Sequence, residues 1–169
     1  GAAISTAAHL AIGAAPGDET ANEWLATTAD TVQRAAPTAA LELVDRALEL
    51  ADGDVASTRA RQRARLDLLI QLGRLDEAVT LARALLELLG SELDAHERAA
   101  LIGRAAGLLV LQRQADEGLS LLETGVEGIE DEGARARLIA QRAMVKVTVS
   151  DYAGAATDAE EAVAGTEVS

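Results

Sequence analysis

Apolar residues recur at helical spacing along most of the chain, and the pattern is clearest between residues 75 and 89. In that stretch they follow the i, i+3, i+4, i+7 rule of a helix with one buried face. These apolar positions are Leu75, Ala78, Val79, Ala82, Leu85, Leu86 and Leu89. Polar residues occupy much of the opposite side, so the stretch is predicted to form an amphipathic helix.

A small residue near the start of this helix recurs at regular intervals. It is Ala40, Ala78, Gly118 and Ala155, at spacings of 38, 40 and 37 residues. A further helix is predicted before each small residue, and these first helices span roughly 20–36, 57–72, 92–112 and 134–149. Two helices per period of this length indicate a protein built from repeated helix pairs.

Local signals set the expected helix ends. Thr20 and Glu23 have the spacing of a capping box, which predicts that Thr20 caps the first helix. Gly73 and the Ser150–Asp151 step are predicted turns inside pairs. Residues 145–149, VKVTV, alternate as a half-buried strand does, but the repeat requires a helix there, and we predict one.

The composition favours an all-α fold. Hydrophobic residues make up 49% of the 169 residues, yet the chain has no Phe, one Trp and one Tyr. A core of Ala, Leu, Val and Ile with so few aromatic residues suits closely packed helices better than sheets.

Charge and hydropathy exclude several classes of protein. The net charge of −13 repels a phosphate backbone, so this segment is not expected to bind nucleic acid. Purely apolar runs such as Gly107–Leu111 are far shorter than the roughly 18 residues of a membrane span, and no membrane association is predicted. The chain has no Cys, so it offers no disulfide and no thiolate site.

Helix pairs of this period, with a small residue opening the second helix, resemble tetratricopeptide (TPR) repeats. The resemblance implies a right-handed α-solenoid of about four antiparallel helix pairs plus an N-terminal helix, in a single domain over residues 1–169. Leu85 and Gly125 stand where a second alanine is usual, so the repeats are degenerate. The expected segments are an N-terminal helix and loop over 1–16 and repeats over 17–52, 53–90, 91–132 and 133–169.

A second resemblance covers residues 7–51. Its elements are, in order, His9-Leu10-Ala11, Pro16-Gly17-Asp18-Glu19, Arg34-Ala35-Ala36-Pro37 and the run from Ala40 to Leu50. They resemble the segment that follows the nucleotide-binding and winged-helix portions of large ATP-binding LuxR-type transcriptional regulators of actinobacteria. The resemblance implies a cytoplasmic fragment of a longer protein, with an ATPase before it and a DNA-binding helix-turn-helix after it.

Residues that carry catalysis or bind cofactors are sparse. A P-loop needs a lysine after a glycine-rich turn, and the only lysine, Lys146, follows none. His9 and His96 lack partner motifs for zinc or for a nucleophile. We therefore expect no enzyme activity, no cofactor and no metal.

The segment TRARQRAR, residues 58–65, is the most prominent basic feature. Arg59 and Arg63 share one helix face, whereas Arg61 and Arg65 share another, so the segment is not a single basic stripe. One interpretation is that two of these arginines pair with acids of neighbouring helices. The candidate acids are Glu42, Asp45 and Glu49. The other interpretation is a site for an anionic partner.

The TPR resemblance implies that the first helices line a concave groove. The candidate binding residues there are Arg63, Asp67, Gln71, Arg104 and Met144. The expected ligand is a protein or peptide, or a small effector, whose binding is transmitted to flanking domains. The alternatives are a stand-alone protein-interaction scaffold and a small-effector sensor, and a homodimer is a further expectation.

Overall fold

The structure, a computed structural model, describes residues 9, 13–51, 55–90 and 92–166. Within these ranges the chain is helical and contains no strand, which confirms the predicted all-α class. The helices are α1 (Glu19–Val32), α2 (Pro37–Leu50), α3 (Val55–Gln71), α4 (Leu75–Leu89), α5 (Ala95–Leu111), α6 (Ala115–Glu127), α7 (Glu132–Thr148) and α8 (Tyr152–Thr166).

The chain divides into two compact units. The N-terminal unit, residues 1–74, contains α1, α2 and α3, and α2 packs against both of the others. The C-terminal unit, residues 75–169, contains α4 to α8. In it each helix packs against the next one, and α5 also packs against α7.

Aspartates, rather than the predicted capping box, start three of the first helices, α1, α5 and α7. Asp18 caps α1, and its side chain accepts a hydrogen bond from the backbone N–H of Ala21 at 3.0 Å. Thr20 lies inside the first turn, so the prediction that it caps the helix is wrong. Asp94 and Asp131 cap α5 and α7 in the same way. Aspartate is among the strongest N-cap residues, and here it precedes the threonine.

The VKVTV segment is helical, as predicted. α7 continues through Thr148, and Val149 is its C-cap. Val145 is buried in the core of the C-terminal unit, whereas Val147 is about half exposed. Packing of one face of the helix therefore outweighs the β-propensity of the valines.

A left-handed residue ends the first helix of three pairs. Gly73, Arg113 and Ser150 have φ angles of 71°, 63° and 67°. In each turn the next residue donates its backbone N–H to the carbonyl five residues earlier, at 2.8–2.9 Å. The first pair differs, because Ala36 there donates to Val32, four residues earlier. Apart from this first turn, the repeat seen in the sequence is also a repeat of backbone geometry.

The small residues are buried or lie at a close contact between helices. Ala40 and Ala78 are fully buried, and Ala155 is buried as well. At Gly118 an added Cβ would lie 3.1 Å from the backbone oxygen of Ala106. The close approach of α5 and α6 therefore requires glycine or a very small shift, as the sequence pattern predicts.

Gly125 marks a second close approach in the C-terminal unit. A Cβ there would lie 3.0 Å from the side chains of both Ile102 of α5 and Leu138 of α7. The glycine that departs from the usual alanine thus lets α6 pack against both first helices. Leu122 of α6 and Leu138 are fully buried in the same core cluster.

Candidate functional site

An apolar groove lies between α5 and α7 of the C-terminal unit. Its cavity has a volume of about 290 Å³. The lining residues include Gly103, Gly107, Val110, Leu122, Gln141, Met144 and Val145. Because α5 and α7 are the first helices of successive pairs, the groove lies on the surface that the TPR resemblance assigns to binding.

Two glycines at i and i+4 form the α5 wall of this groove. Glycine inside a helix costs about 0.5–1 kcal/mol relative to alanine. A Cβ at Gly103 would collide with the side-chain amide of Gln141, whereas one at Gly107 would meet nothing within 4 Å. Gly103 therefore admits Gln141, and Gly107 leaves open space in the groove.

Met144 forms the α7 wall and is 70% exposed. Leu111 and Val147, at the same ends of α5 and α7, are also large exposed apolar residues. Methionine is flexible and adapts to apolar ligands of different shapes. An exposed methionine beside an open apolar groove is typical of a surface that binds an apolar side chain.

Gln141 is a polar residue in this mostly apolar wall. Its Oε1 atom is buried and has no hydrogen-bond partner in the described part of the chain. A buried acceptor without a partner costs about 1–3 kcal/mol. A ligand that brings an N–H group to this wall would offset that cost.

The structure places the five predicted binding residues in two units. Met144 lines the groove, and Arg104 is exposed on α5 without lining the cavity. Arg63, Asp67 and Gln71 are exposed on α3 of the N-terminal unit. Their four-residue spacing puts these three on one face of α3.

Sequence reasoning missed Gly103, Gly107 and Gln141 as groove residues. The available signal was the pair of glycines in the interior of a predicted helix, where alanine would be more favourable. The contact between Gly103 and Gln141 left no such signal, because it depends on how α5 and α7 are staggered.

The basic segment of α3 forms at least one of the expected ion pairs. Arg65 Nε lies 2.7 Å from Asp45 Oδ1 of α2. Both side chains are about one-third exposed or more, so the pair contributes on the order of 1 kcal/mol or less. The interpretation of these arginines as helix-to-helix ion pairs is confirmed for Arg65.

A buried carboxylate joins α7 to α8. Asp158, 3% exposed, accepts two hydrogen bonds from the Arg142 guanidinium at 2.7 and 2.8 Å. Its Oδ2 lies 2.8 Å from Lys146 Nζ. Burial alone would raise the pKa of Asp158, but the hydrogen bonds and positive charges of Arg142 and Lys146 outweigh it and lower that pKa. The hydrogen bond to Asp158 likewise raises the pKa of Arg142, against the effect of burial.

The histidines and acidic residues form no metal centre in the ranges that the structure describes. His9 is exposed, and His96 Nε2 lies 3.6 Å from the exposed carboxylate of Asp131. No group of three or more His, Asp or Glu side chains in these ranges is placed to hold a metal ion. None of the helices described has the length and apolar character needed to cross a membrane.

Comparison with known proteins identifies the fold. No family model matches the chain, and no curated protein matches it. A crystal structure of a Podosopora anserina protein, described as a kinesin light chain with nearly identical TPR-like repeats, is similar at 18% identity and a TM-score of 0.78. The match covers 96% of this chain and 82% of that one. A crystal structure of a single-residue variant of that protein matches with the same identity and TM-score, over 98% of this chain and 85% of the other. The chain therefore has the fold of a TPR-like helical repeat protein.

Proposed function

We propose that the chain is a non-catalytic interaction module that binds a protein or peptide segment in the groove between α5 and α7. The observation that carries this proposal is an apolar cavity of about 290 Å³ beside Met144, a methionine that is 70% exposed. A large apolar side chain gains little by facing water, so its exposure beside an open cavity favours an apolar partner.

The partner would insert one apolar side chain between Gly107 and Met144. Gly107 leaves the space, and Met144 adapts its shape. Gln141, whose buried Oε1 has no partner in the described residues, would turn its amide to accept an N–H from the partner backbone. Arg104, exposed on the same helix as Gly107, would contact the partner beyond the cavity. Arg63, Asp67 and Gln71 would form a separate contact surface on α3.

The chain's place in a larger protein is also proposed. The resemblance of residues 7–51 supports a cytoplasmic regulatory segment of an ATP-binding LuxR-type transcriptional regulator. Residues 10–12 and the first eight of the chain lie outside the residues that the structure describes. In this role, partner binding in the groove would be transmitted to an ATPase and a helix-turn-helix. A homodimer and a single repeat domain over residues 1–169 are part of the same proposal.

Selection from a displayed peptide library tests the groove. Peptides selected on the chain are expected to carry a large apolar residue and to bind the Met144→Asp variant at least tenfold more weakly. Leu88→Asp is the matched control, since Leu88 is 74% exposed, lies on α4 and does not line the groove. Equal loss of binding in the two variants, or no selected peptide, would contradict the proposal.

The regulator context has a separate test. The reading frame on either side of this segment should encode a nucleotide-binding motif upstream and a helix-turn-helix downstream. If both are missing, the regulator role is wrong, and a stand-alone interaction scaffold becomes the better proposal.

A further inference from the structure

A second cavity, of about 290 Å³, lies within the N-terminal unit and differs in character from the groove. Glu19, Asn22 and Glu23 line it from α1, and Ser57 and Arg61 line it from α3. Leu50 and Ala51, at the end of α2, complete the lining. We refer to this cavity as the polar pocket. Its volume is at the lower end of the range for ligand sites, which suits a small metabolite.

Two atoms of the polar pocket's lining residues lack hydrogen-bond partners. Asn22 is only 6% exposed, and its Oδ1 has no partner in the described residues. The buried Nε of Arg61 also has none in these residues. One of these atoms is an acceptor and the other is a donor. Buried polar groups are nearly always hydrogen-bonded in folded proteins, so two unpaired atoms on residues that line one cavity point to a ligand.

The charges around the polar pocket indicate which charged groups that ligand carries. Glu19 and Glu23 are four residues apart on α1 and supply two carboxylates. The C-terminal end of α2 contributes the negative end of its helix dipole at Leu50 and Ala51. Arg61 supplies a guanidinium, which pairs well with a planar carboxylate. The pocket thus presents negative charge on the sides of α1 and α2 and positive charge on the side of α3.

The backbone around the pocket is held in place by the preceding loop. Gly17 donates its N–H to the carbonyl of Leu50 at 3.0 Å, and Asp18 caps α1 one residue later. These bonds fix the start of α1 against the end of α2.

We infer that the polar pocket binds a small zwitterion of the α-amino acid class. Its ammonium group would lie between Glu19 and Glu23 and donate to Asn22 Oδ1, and its carboxylate would accept from Arg61. A simple amine would leave Arg61 unpaired and be repelled by it, whereas a simple carboxylate would be repelled by the two glutamates. This inference does not depend on the groove, which lies in the other unit.

Isothermal titration calorimetry of the 169-residue chain with the common L-amino acids, added one at a time, tests the inference. At least one of them should bind saturably. The corresponding amine without the carboxylate, and the corresponding acid without the ammonium group, should each bind at least tenfold more weakly. If no amino acid binds, or if the amine binds as tightly as its parent amino acid, the inference is wrong.

Two variants separate specific recognition from general effects on the fold. Arg61→Ala should weaken binding of the amino acid about tenfold and leave binding of the amine unchanged or improved, because only the carboxylate contacts Arg61. Arg34→Ala, at an exposed arginine of the same unit that does not line the pocket, should change neither. Arg61→Gln keeps much of the side-chain stem and replaces Arg61→Ala if that variant loses helicity. An equal loss for the amino acid and the amine would contradict the assigned role of Arg61.

Discussion

The first and last helix pairs, α1–α2 and α7–α8, follow one sequence pattern but have different polar interiors. Ala40 and Ala155 open the second helix of each pair, Ala47 and Ala162 follow seven residues later, and all four are buried. In the last pair the buried carboxylate of one helix is paired with two cations of the other. In the first pair the buried Asn22 has an acceptor with no partner among the described residues.

This difference teaches that the repeat pattern specifies the apolar contacts and leaves the polar ones to vary. Small residues at fixed positions are enough for two helices to approach closely. The side chains at the polar positions then decide whether the buried polar groups of a pair bind one another or stay available to a ligand. The following predictions test whether the buried polar groups of the last pair find their partners within the protein, while those of the first pair do not.

The largest effect is expected at Asp158. Asp158→Asn removes the charge that Arg142 and Lys146 share, and the side chains of these two cations are only 16% and 18% exposed. Breaking a buried ion pair on one side costs about 3–5 kcal/mol, and since these cations retain some contact with water we expect about 3 kcal/mol. Urea unfolding followed by circular dichroism measures this loss.

Glu161→Gln is the matched control for Asp158→Asn. Glu161 lies on the same helix and pairs with Arg135 at 3.1 Å and, more distantly, with Arg142 at 3.9 Å. The side chains of Glu161 and Arg135 are both nearly half exposed. Its loss should cost less than about 1 kcal/mol. If the two variants are equally stable, the last pair does not depend on its buried carboxylate and the contrast with the first pair disappears.

The pH dependence of stability should reveal part of the stabilisation that the Asp158 carboxylate provides. Because the pKa of Asp158 is lowered in the folded state, its contribution is fully present above the unfolded pKa of about 3.9. This contribution to stability is lost as the pH falls through the pKa of Asp158 in the folded state, where the carboxylate takes up a proton. The difference in unfolding free energy between the wild type and Asp158→Asn should therefore be constant near neutral pH and shrink below about pH 4. A difference that grows on acidification would contradict the assigned charge state.

The turns of the two pairs should respond to glycine in opposite directions. Ser150 has a φ of 67°, a conformation that costs a non-glycine residue roughly 1–2 kcal/mol. Ser150→Gly should remove that strain and raise stability by about 0.5–1 kcal/mol, after the entropy cost of glycine. Ala35 takes the corresponding place in the first pair and has no positive φ, so Ala35→Gly should lower stability by a similar amount. Urea midpoints of the two variants, compared with the wild type, give the two signs.

Helices and small-residue contacts could be predicted from the sequence because burial imposes a period on the chain. The predicted first helices match α1, α3, α5 and α7 to within a few residues, and VKVTV is helical as the repeat requires. The cap of α1 could not be resolved, because Asp18 and Thr20 are both good N-cap residues two positions apart. Both residues are local signals for a helix start, and only the backbone conformation of the folded chain shows which of them is the cap.

The two cavities were far less predictable. The position of Met144 on its predicted helix placed it among the candidate groove residues. It does line the groove, and its role in binding stays a prediction. The contact of Gln141 with Gly103 depends on the stagger of two helices. The polar pocket needs α1, the end of α2 and α3 to meet, so its residues, Asn22 and Arg61 among them, are spread over about forty positions. No pattern in one helix identifies such a set.

The smallest effect is expected at Asn22, and it provides the most direct test of the contrast between the pairs. Asn22→Ala removes a buried side chain, which costs packing, but it also removes an acceptor that has no partner in the described residues. Leaving such an acceptor buried costs about 1–3 kcal/mol, so the two contributions nearly cancel. We expect the free energy of unfolding to change by less than about 0.5 kcal/mol, against about 3 kcal/mol for Asp158→Asn.

The only tryptophan makes this measurement local, since Trp24 lies on α1 two residues from Asn22. Its fluorescence during urea unfolding reports on the first pair, while circular dichroism follows the whole chain. A loss well above about 1 kcal/mol at Asn22→Ala would mean that Asn22 is hydrogen-bonded in the free protein. Because an acceptor that is already paired needs no ligand, that result would remove Asn22 from the polar pocket's recognition of an ammonium group. The amino acid would then have to bind through Glu19, Glu23 and Arg61 alone, with an affinity that Asn22→Ala leaves unchanged.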